Sequence, residues 1–275
     1  MIYPTNLTDA QCGSPPGQAI KLLLPAKIWQ RKRRHSIRTI INAILYVVKG
    51  GIQWRMMPND LPDWRLVYYY FRQWSEQGLV RQIHDKLVTN VRLQAGREAS
   101  PSLGLIDSQS VKTMSVTALK GYDGNKKLTG RKRFIIVDVL GLVLALRLTS
   151  ANIGERAGAL LLFQVLGQRF TRLKTILADQ GFTGVDFLAT VKATYQLTMD
   201  VVCGVPGVKG FQVLPKPHRR TGWIVEPVRR CGTFGWWAFH RRLAKGYEVK
   251  ATHAESVIYW TMIRLMSRRI RETKS

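Results

Sequence analysis

The chain has 275 residues, of which 45% are hydrophobic and 22% are charged, as is typical of a globular protein. Its 43 Lys and Arg residues against 17 Asp and Glu give a net charge of +26, spread through the chain, which favours nucleic acid over ribosome-like packing or an anionic membrane. Three cysteines without a C-x-x-C pair argue against a zinc finger or a disulfide framework, and neither a signal-peptide pattern nor a membrane-length apolar run is present.

The first hundred residues are predicted to be helical. Ser36 precedes apolar residues spaced as on one helix face, and Gly50-Gly51 ends this pattern. Asp63 can cap a second aromatic-rich helix, and another apolar helix follows it. Short helices joined by a proline-containing turn favour a helix-turn-helix module, with residues 63–77 as the candidate groove helix. The alternative is a helical dimerisation or packing module.

The pattern changes after a linker at residues 95–102. Strand-like runs are predicted at 103–107, 133–139 and 142–149, and the last two form a hairpin around Leu140-Gly141. Two further strands, one ending near Asp179 and one at 197–202, alternate with two helices. This order predicts an α/β fold with a mixed sheet. We therefore expect a small all-helical domain over residues 1–98 and an α/β domain over residues 99–275.

Asp107 and Asp179 are carboxylates placed in or beside apolar, strand-like segments. Such a position is costly unless the carboxylate is hydrogen-bonded, neutralised or bound to a cation. Asp107 alone fits a metal ligand and a satisfied structural carboxylate equally well, whereas the glycine at 181 favours a functional role for Asp179. Asp138 precedes the predicted hairpin turn, which favours a turn role, and Glu155 fits a helix N-terminus.

Carboxylates on separate elements suit metal-dependent phosphodiester chemistry. Magnesium prefers hard oxygen ligands, and a pair of ions about 4 Å apart can activate an attacking hydroxyl and stabilise the leaving oxygen. Glu226, beside another apolar segment, is a further candidate ligand. Spacing alone does not establish such a site.

A series of short motifs runs through nearly the whole chain. They occupy residues 43–46, 53–56 with 58, 68–71, 106–113, 121–123, 126–127, 130–133, 137–138 with 140–142, 178–182, 223–226, 241–245, 247–248 and 262–266. In identity and order these motifs resemble the DDE transposases of bacterial insertion sequences, specifically insertion-sequence family five in the IS4/IS5-like group.

The resemblance implies an RNase H-like catalytic fold in which Asp107, Asp179 and Glu226 match the DDE triad. It implies Mg²⁺ or Mn²⁺ as the cofactor, with two ions, and phosphodiester cleavage followed by joining of the 3′-hydroxyl to target DNA. It also implies that the helical module takes part in binding terminal inverted repeats. Two ends must be held together, so we expect a homo-oligomer on DNA, in the bacterial cytoplasm near the nucleoid and not in a membrane.

Two basic segments are expected to grip DNA phosphates close to the metals. Their residues are Arg131, Lys132, Arg133, Arg241, Arg242 and Lys245. The alternative for either segment is ordinary solvated charge. The aromatic pair Trp236-Trp237 could stack on a flipped base, but a place in the core is the favoured interpretation.

This chain departs from the family pattern after Glu226. Residues 227–232 stand where the family has a single residue, and Pro227 disfavours helical geometry at Glu226. We therefore expect a weak or inactive enzyme in which Glu226 is still the intended third ligand, with Glu248 and Glu255 as less favoured substitutes. A catalytically impaired DNA-binding remnant and an RNase H-like nuclease without strand transfer are the alternative functions. Residues 12–17 also depart from the family, which could alter repeat binding.

Overall fold

A computed structural model describes residues 3–7, 34–114, 117, 119–201 and 232–272. These residues form the helices α1 (Ile37–Gly50), α2 (Trp64–Glu76), α3 (Leu79–Gln94), α4 (Glu155–Leu166), α5 (Val185–Tyr195), α6 (Gly232–Ala238) and α7 (Ala251–Glu272). The strands are β1 (Leu103–Lys112), β2 (Gly121–Asp123), β3 (Leu128–Val137), β4 (Val143–Ser150), β5 (Thr175–Ala178) and β6 (Thr198–Val201). The predictions for Glu226 and for the segments 12–17 and 227–231 lie outside the described residues.

The predicted helices of the N-terminal region are confirmed, together with their end signals. The Ser36 hydroxyl accepts the backbone N–H of Thr39 at 3.1 Å, and α1 ends where Gly51 adopts the left-handed conformation at φ 72°. The carboxylate of Asp63 accepts the backbone N–H of Arg65 at 2.8 Å and starts α2. Local capping chemistry therefore fixes both helix starts, as the sequence indicated.

Helix α7 joins the N-terminal helices to the sheet. It packs against α1, α2 and α3 and also against β4. The buried Trp260 ring lies 6.2 Å from Trp74 of α2, and the Tyr259 ring lies 4.9 Å from His84 of α3. The apolar side chains of all these elements belong to one continuous core. The division into a domain over residues 1–98 and a domain over residues 99–275 stays a prediction.

The strands form one mixed sheet in the order β4-β3-β1-β5-β6, with β2 pairing the same edge of β3 as β4. Strand β3 runs antiparallel to β1, β2 and β4, whereas β5 is parallel to both β1 and β6. Helix α4 packs on β4 and β3. The packing is so close that a Cβ on Gly158 would lie 2.1 Å from the Phe134 ring. The predicted α/β fold with a mixed sheet is confirmed.

Strand β1 is longer than the predicted run at 103–107. It continues to Lys112 through Ser108, Gln109 and Ser110, which pair with residues of β3. Gln109 and Ser110 lie opposite the polar residues Arg133 and Lys132, so apolar patterning does not mark the end of the strand. None of the helices in the described part of the chain combines the length and apolar character needed to cross a bilayer.

Candidate active site

The two strand-borne aspartates lie at the same level of the sheet. In the parallel pairing of β1 and β5, Leu105 is opposite Leu177, and Asp107 and Asp179 each follow two residues later. Strand β5 ends at Ala178, whereas β1 continues past this point. Among the described residues, the two carboxylates therefore lie side by side at the C-terminal end of β5, a place that we call the opening. Neither residue's local sequence reveals this juxtaposition.

Asp179 is exposed and fixed by the backbone that follows it. Its Oδ1 atom accepts the N–H of Gly181 at 2.9 Å and caps the short 3-10 helix Gln180–Phe182. Phe182 is buried in the core and anchors this turn. The arrangement holds an acidic side chain in solvent at a defined place.

Asp107 is partly buried, and its Oδ1 atom accepts the backbone N–H of Ser108 at 2.7 Å. Burial raises the pKa of Asp107 to about 6, and the negative charges of Asp179 and Glu155 act in the same direction. The Ser108 N–H and the positive charge of Lys126 oppose the rise. The ionised form of Asp107 is thus disfavoured here, and a bound cation would relieve that cost.

Glu155 is the acidic neighbour that sequence reasoning did not assign to the site. It is the first residue of α4, as predicted. A Cβ on Gly181 would lie 3.0 Å from Cγ of Glu155 and 3.1 Å from Oδ1 of Asp179, so these two acidic side chains meet across Gly181. Oε1 of Glu155 lies 3.4 Å from Nζ of Lys132, and Oε2 has no hydrogen-bond partner among the described residues. A helix-start pattern carries no signal of this tertiary contact.

Other acidic residues are engaged elsewhere. The Asp138 carboxylate accepts the backbone N–H groups of Leu140 and Leu142 at 2.9 and 2.8 Å and pairs with Arg92, which confirms its role in the turn. Glu255 accepts the backbone N–H of Leu148 on β4 at 3.0 Å. Strand β4 is separated from β5 by β3 and β1, so Glu255 lies away from the aspartates.

Four of the six basic residues predicted to contact DNA are buried. Their exposed fractions are 0% for Arg131, 5% for Lys132, 4% for Arg133 and 8% for Arg242. A buried cation needs internal partners, because leaving water costs several kcal/mol. Phosphate contact by these four side chains is therefore not supported by their placement.

The buried arginines of β3 hold a C-terminal segment against the sheet. Arg131 donates to the carbonyl oxygens of Glu248 at 2.7 Å and Val249 at 2.6 Å. Arg133 donates to the Leu243 carbonyl at 2.9 Å and to the Gln109 side chain at 3.1 Å. We call residues 243–249 the clamped segment. The basic motif on β3 thus has a structural role in this fold.

Two of the residues predicted to contact DNA are exposed at or beside the clamped segment. Arg242 is paired with Glu248 at 2.7 Å and donates to the carbonyl of Ile52, whereas Arg241 and Lys245 are exposed. Glu248 is thereby committed to a buried ion pair and does not lie free for the aspartates. Phosphate contact by Arg241 and Lys245 stays a prediction.

The aromatic residues of α6 divide between core and surface. Trp237 is buried and donates through Nε1 to the sulfur of Met262 on α7, whereas the half-buried Trp236 ring lies 4.5 Å from the Arg269 guanidinium. Phe239 is largely exposed. The favoured interpretation as a core residue is confirmed for Trp237.

In the described part of the chain, no group of three or more His, Cys, Asp or Glu side chains has a geometry suited to hold a metal ion. The described residues bring together Asp107 and Asp179, with Glu155 beside them, while the predicted third ligand Glu226 lies outside those residues. A pair of neighbouring carboxylates suits a hard divalent cation, which prefers oxygen ligands.

Two family comparisons match long stretches of the chain. The family described as "Transposase DDE domain" matches residues 98–266, and the family described as "Putative transposase of IS4/5 family" matches residues 18–84. The search of curated proteins found no match. The first family covers the whole sheet and most of α7, which confirms the RNase H-like fold class expected from the sequence. The chain therefore belongs to the DDE transposases of the IS4/IS5-like group.

Proposed function

We propose that this transposase hydrolyses phosphodiester bonds at the ends of its insertion sequence and then joins the freed 3′-hydroxyl to target DNA. The observation that carries the proposal is the parallel pairing of β1 with β5, which brings Asp107 and Asp179 to one level at an open end of the sheet. Active sites of open α/β sheets gather at the carboxyl ends of parallel strands. Family membership supports DNA as the partner.

Asp107 and Asp179 fit a divalent cation by their chemistry. Each carboxylate uses Oδ1 to accept one backbone N–H, and the described residues donate no hydrogen bond to either Oδ2 atom. Mg²⁺ or Mn²⁺, as two ions, would there activate the attacking water or 3′-hydroxyl and stabilise the leaving oxygen. Glu226 is proposed as the third ligand from its motif alone. The fixed Oδ1 atoms would orient the two carboxylates.

DNA contact is proposed at two exposed basic surfaces. The first consists of Arg241 and Lys245, at and beside the clamped segment. The second is the outer face of α2, the candidate groove helix, where Arg65 and Arg72 are exposed while Phe71 packs into the core. Phosphate contacts of this kind position a protein on the duplex, and the net charge of +26 supports them. Because two element ends must be joined, we infer a homo-oligomer assembled on DNA.

The proposal is tested with end-labelled DNA that carries the terminal repeats flanking the gene. The protein is incubated with this DNA and Mg²⁺ or Mn²⁺, and both cleaved and joined products are measured. Joined products support the transposase. Cleavage without joining would indicate a nuclease, and binding without any product a DNA-binding remnant. Absence of DNA binding would contradict the proposal altogether.

A further inference from the structure

The turn between β2 and β3, residues 124–127, is held in one defined shape. The Asp123 carboxylate accepts the backbone N–H groups of Asn125 and Lys126, each at 3.1 Å. Lys127 follows with φ 48°, a left-handed conformation that residues other than glycine rarely adopt. Such conformations persist only where the surroundings enforce them, and they concentrate at functional sites. The hairpin therefore presents the side chain of Lys126 from a fixed backbone.

A buried network of charges ties this hairpin to the aspartates. Asp123 is buried and accepts the hydroxyl of Ser110, which lies three residues after Asp107 on β1. Nζ of Lys132 lies 3.7 Å from Oδ2 of Asp123 and 3.4 Å from Oε1 of Glu155. Glu155 in turn meets Asp179 across Gly181. Asp123 thus anchors the turn to the same cluster that contains the candidate active site.

Lys126 and Lys132 differ in their burial and in their ion pairs. Lys132 is buried between two carboxylates, whereas Lys126 is exposed and forms no ion pair with a described residue. The Lys126 ammonium nevertheless lies near enough to Asp107 to act on that carboxylate electrostatically. The hairpin therefore holds an exposed cation near an acidic site that, in the proposed function, has to accept a polyanion. Without it, carboxylates would repel the approaching phosphates.

We propose that Lys126 binds a backbone phosphate of the DNA strand held at Asp107 and Asp179, and that the hairpin between β2 and β3 positions it. This inference rests on the proposed function, because it names a further DNA contact of the same site. A lysine ammonium donates up to three hydrogen bonds and binds phosphate as a point charge. The contact would place the strand without reading its sequence.

The test compares Lys126→Met with Lys126→Arg, and with Lys86→Met as the matched control. Lys86 is an exposed lysine on α3, away from the sheet opening, so its replacement removes the same charge elsewhere. Binding to a short mixed-sequence duplex is measured over a range of salt concentrations. Loss of one phosphate contact should reduce the log–log salt slope by about 0.9 in Lys126→Met. Lys126→Arg should keep the parent slope, and the control should keep both slope and affinity.

A second measurement uses the unmodified protein. Lysine acetylation is followed by mass spectrometry with and without the saturating duplex, and DNA should slow the modification of Lys126 but not that of Lys86. The inference is overturned if the parent binds DNA with a steep salt slope, Lys126→Met keeps that slope, and DNA does not protect Lys126 from acetylation. The proposed function would still stand in that case. A parent that fails to bind DNA overturns both.

Discussion

The basic residues of β3 are buried, whereas the acidic residues beside the C-terminal end of β5 are partly buried or exposed. Arg131 and Arg133 point into the protein and donate to carbonyl oxygens of the clamped segment. Asp107 is partly buried and Asp179 is exposed, and the described residues place no ion-pair partner on either carboxylate. The comparison teaches that a basic run on a strand can serve the scaffold while nearby acidic residues are left for the proposed chemistry. Four predictions test this division.

The largest effect on DNA cleavage is expected from replacing either of the two aspartates. Asp107→Asn and Asp179→Asn should each reduce DNA cleavage by more than about a hundredfold, because an amide does not supply the anionic oxygen that the proposed metal ions would need. DNA affinity and the folded state should be retained. Cleavage of end-labelled DNA and duplex binding are measured on the same preparations. A variant that cleaves within about tenfold of an active parent would show that the site lies elsewhere.

Removal of a β3 arginine should damage the scaffold instead. Arg131→Met leaves the carbonyl oxygens of Glu248 and Val249 without this buried donor, which should lower the free energy of unfolding by about 3 kcal/mol. Chemical denaturation measures this change. The control is Arg241→Met, at an exposed arginine, which should leave stability unchanged and reduce DNA affinity. If Arg131→Met is as stable as the parent but binds DNA more weakly, the division of roles is wrong.

The rate of DNA cleavage is also expected to rise when the family pattern after Glu226 is restored. Replacing residues 227–232 by a single arginine restores the spacing after Glu226 that the resemblance to the family implies. If the six residues displace the third ligand, cleavage should rise at least about tenfold, since a displacement of about 1 Å can cost a hundredfold in rate. The rate is compared between parent and repaired chain. An equally fast parent would mean that the insertion is harmless.

The smallest effect is a pH dependence of stability. Because the pKa of Asp107 is raised to about 6 from an unfolded value near 3.9, the folded state binds the proton more tightly. This group therefore contributes stability below about pH 4 that is lost as the pH rises through about 6. Asp107→Asn should remove that decline, whereas Asp186→Asn, at an exposed helix start, should keep it. Urea unfolding across this range measures the difference, and Mg²⁺ should restore stability to the parent at neutral pH.

The sequence predicted best what local chemistry decides. The caps at Ser36 and Asp63 fixed the starts of two helices, and turn chemistry explained Asp138. Both strand-borne aspartates were recognised one at a time. Their common level was not predictable, because it depends on the parallel pairing of β1 with β5, which are far apart in the chain.

Burial of the basic motif was missed for a similar reason. The partners of Arg131 are backbone carbonyl oxygens of Glu248 and Val249, more than a hundred residues later, and carbonyl oxygens leave no mark in a residue pattern. Glu155 was assigned correctly as a helix start, but its place beside Asp179 depends on how α4 packs on the sheet. Tertiary packing, which propensity and spacing do not encode, decided both cases.

Helix α7 carries a consequence for how the protein is made. Its residues are translated long after α1, α2 and α3, yet Trp260 and Tyr259 supply ring contacts that those helices need to complete their core. The early helices must therefore wait for α7 before they are fully buried, and a shortened translation product would expose their apolar faces. Such a fragment should therefore be degraded instead of accumulating.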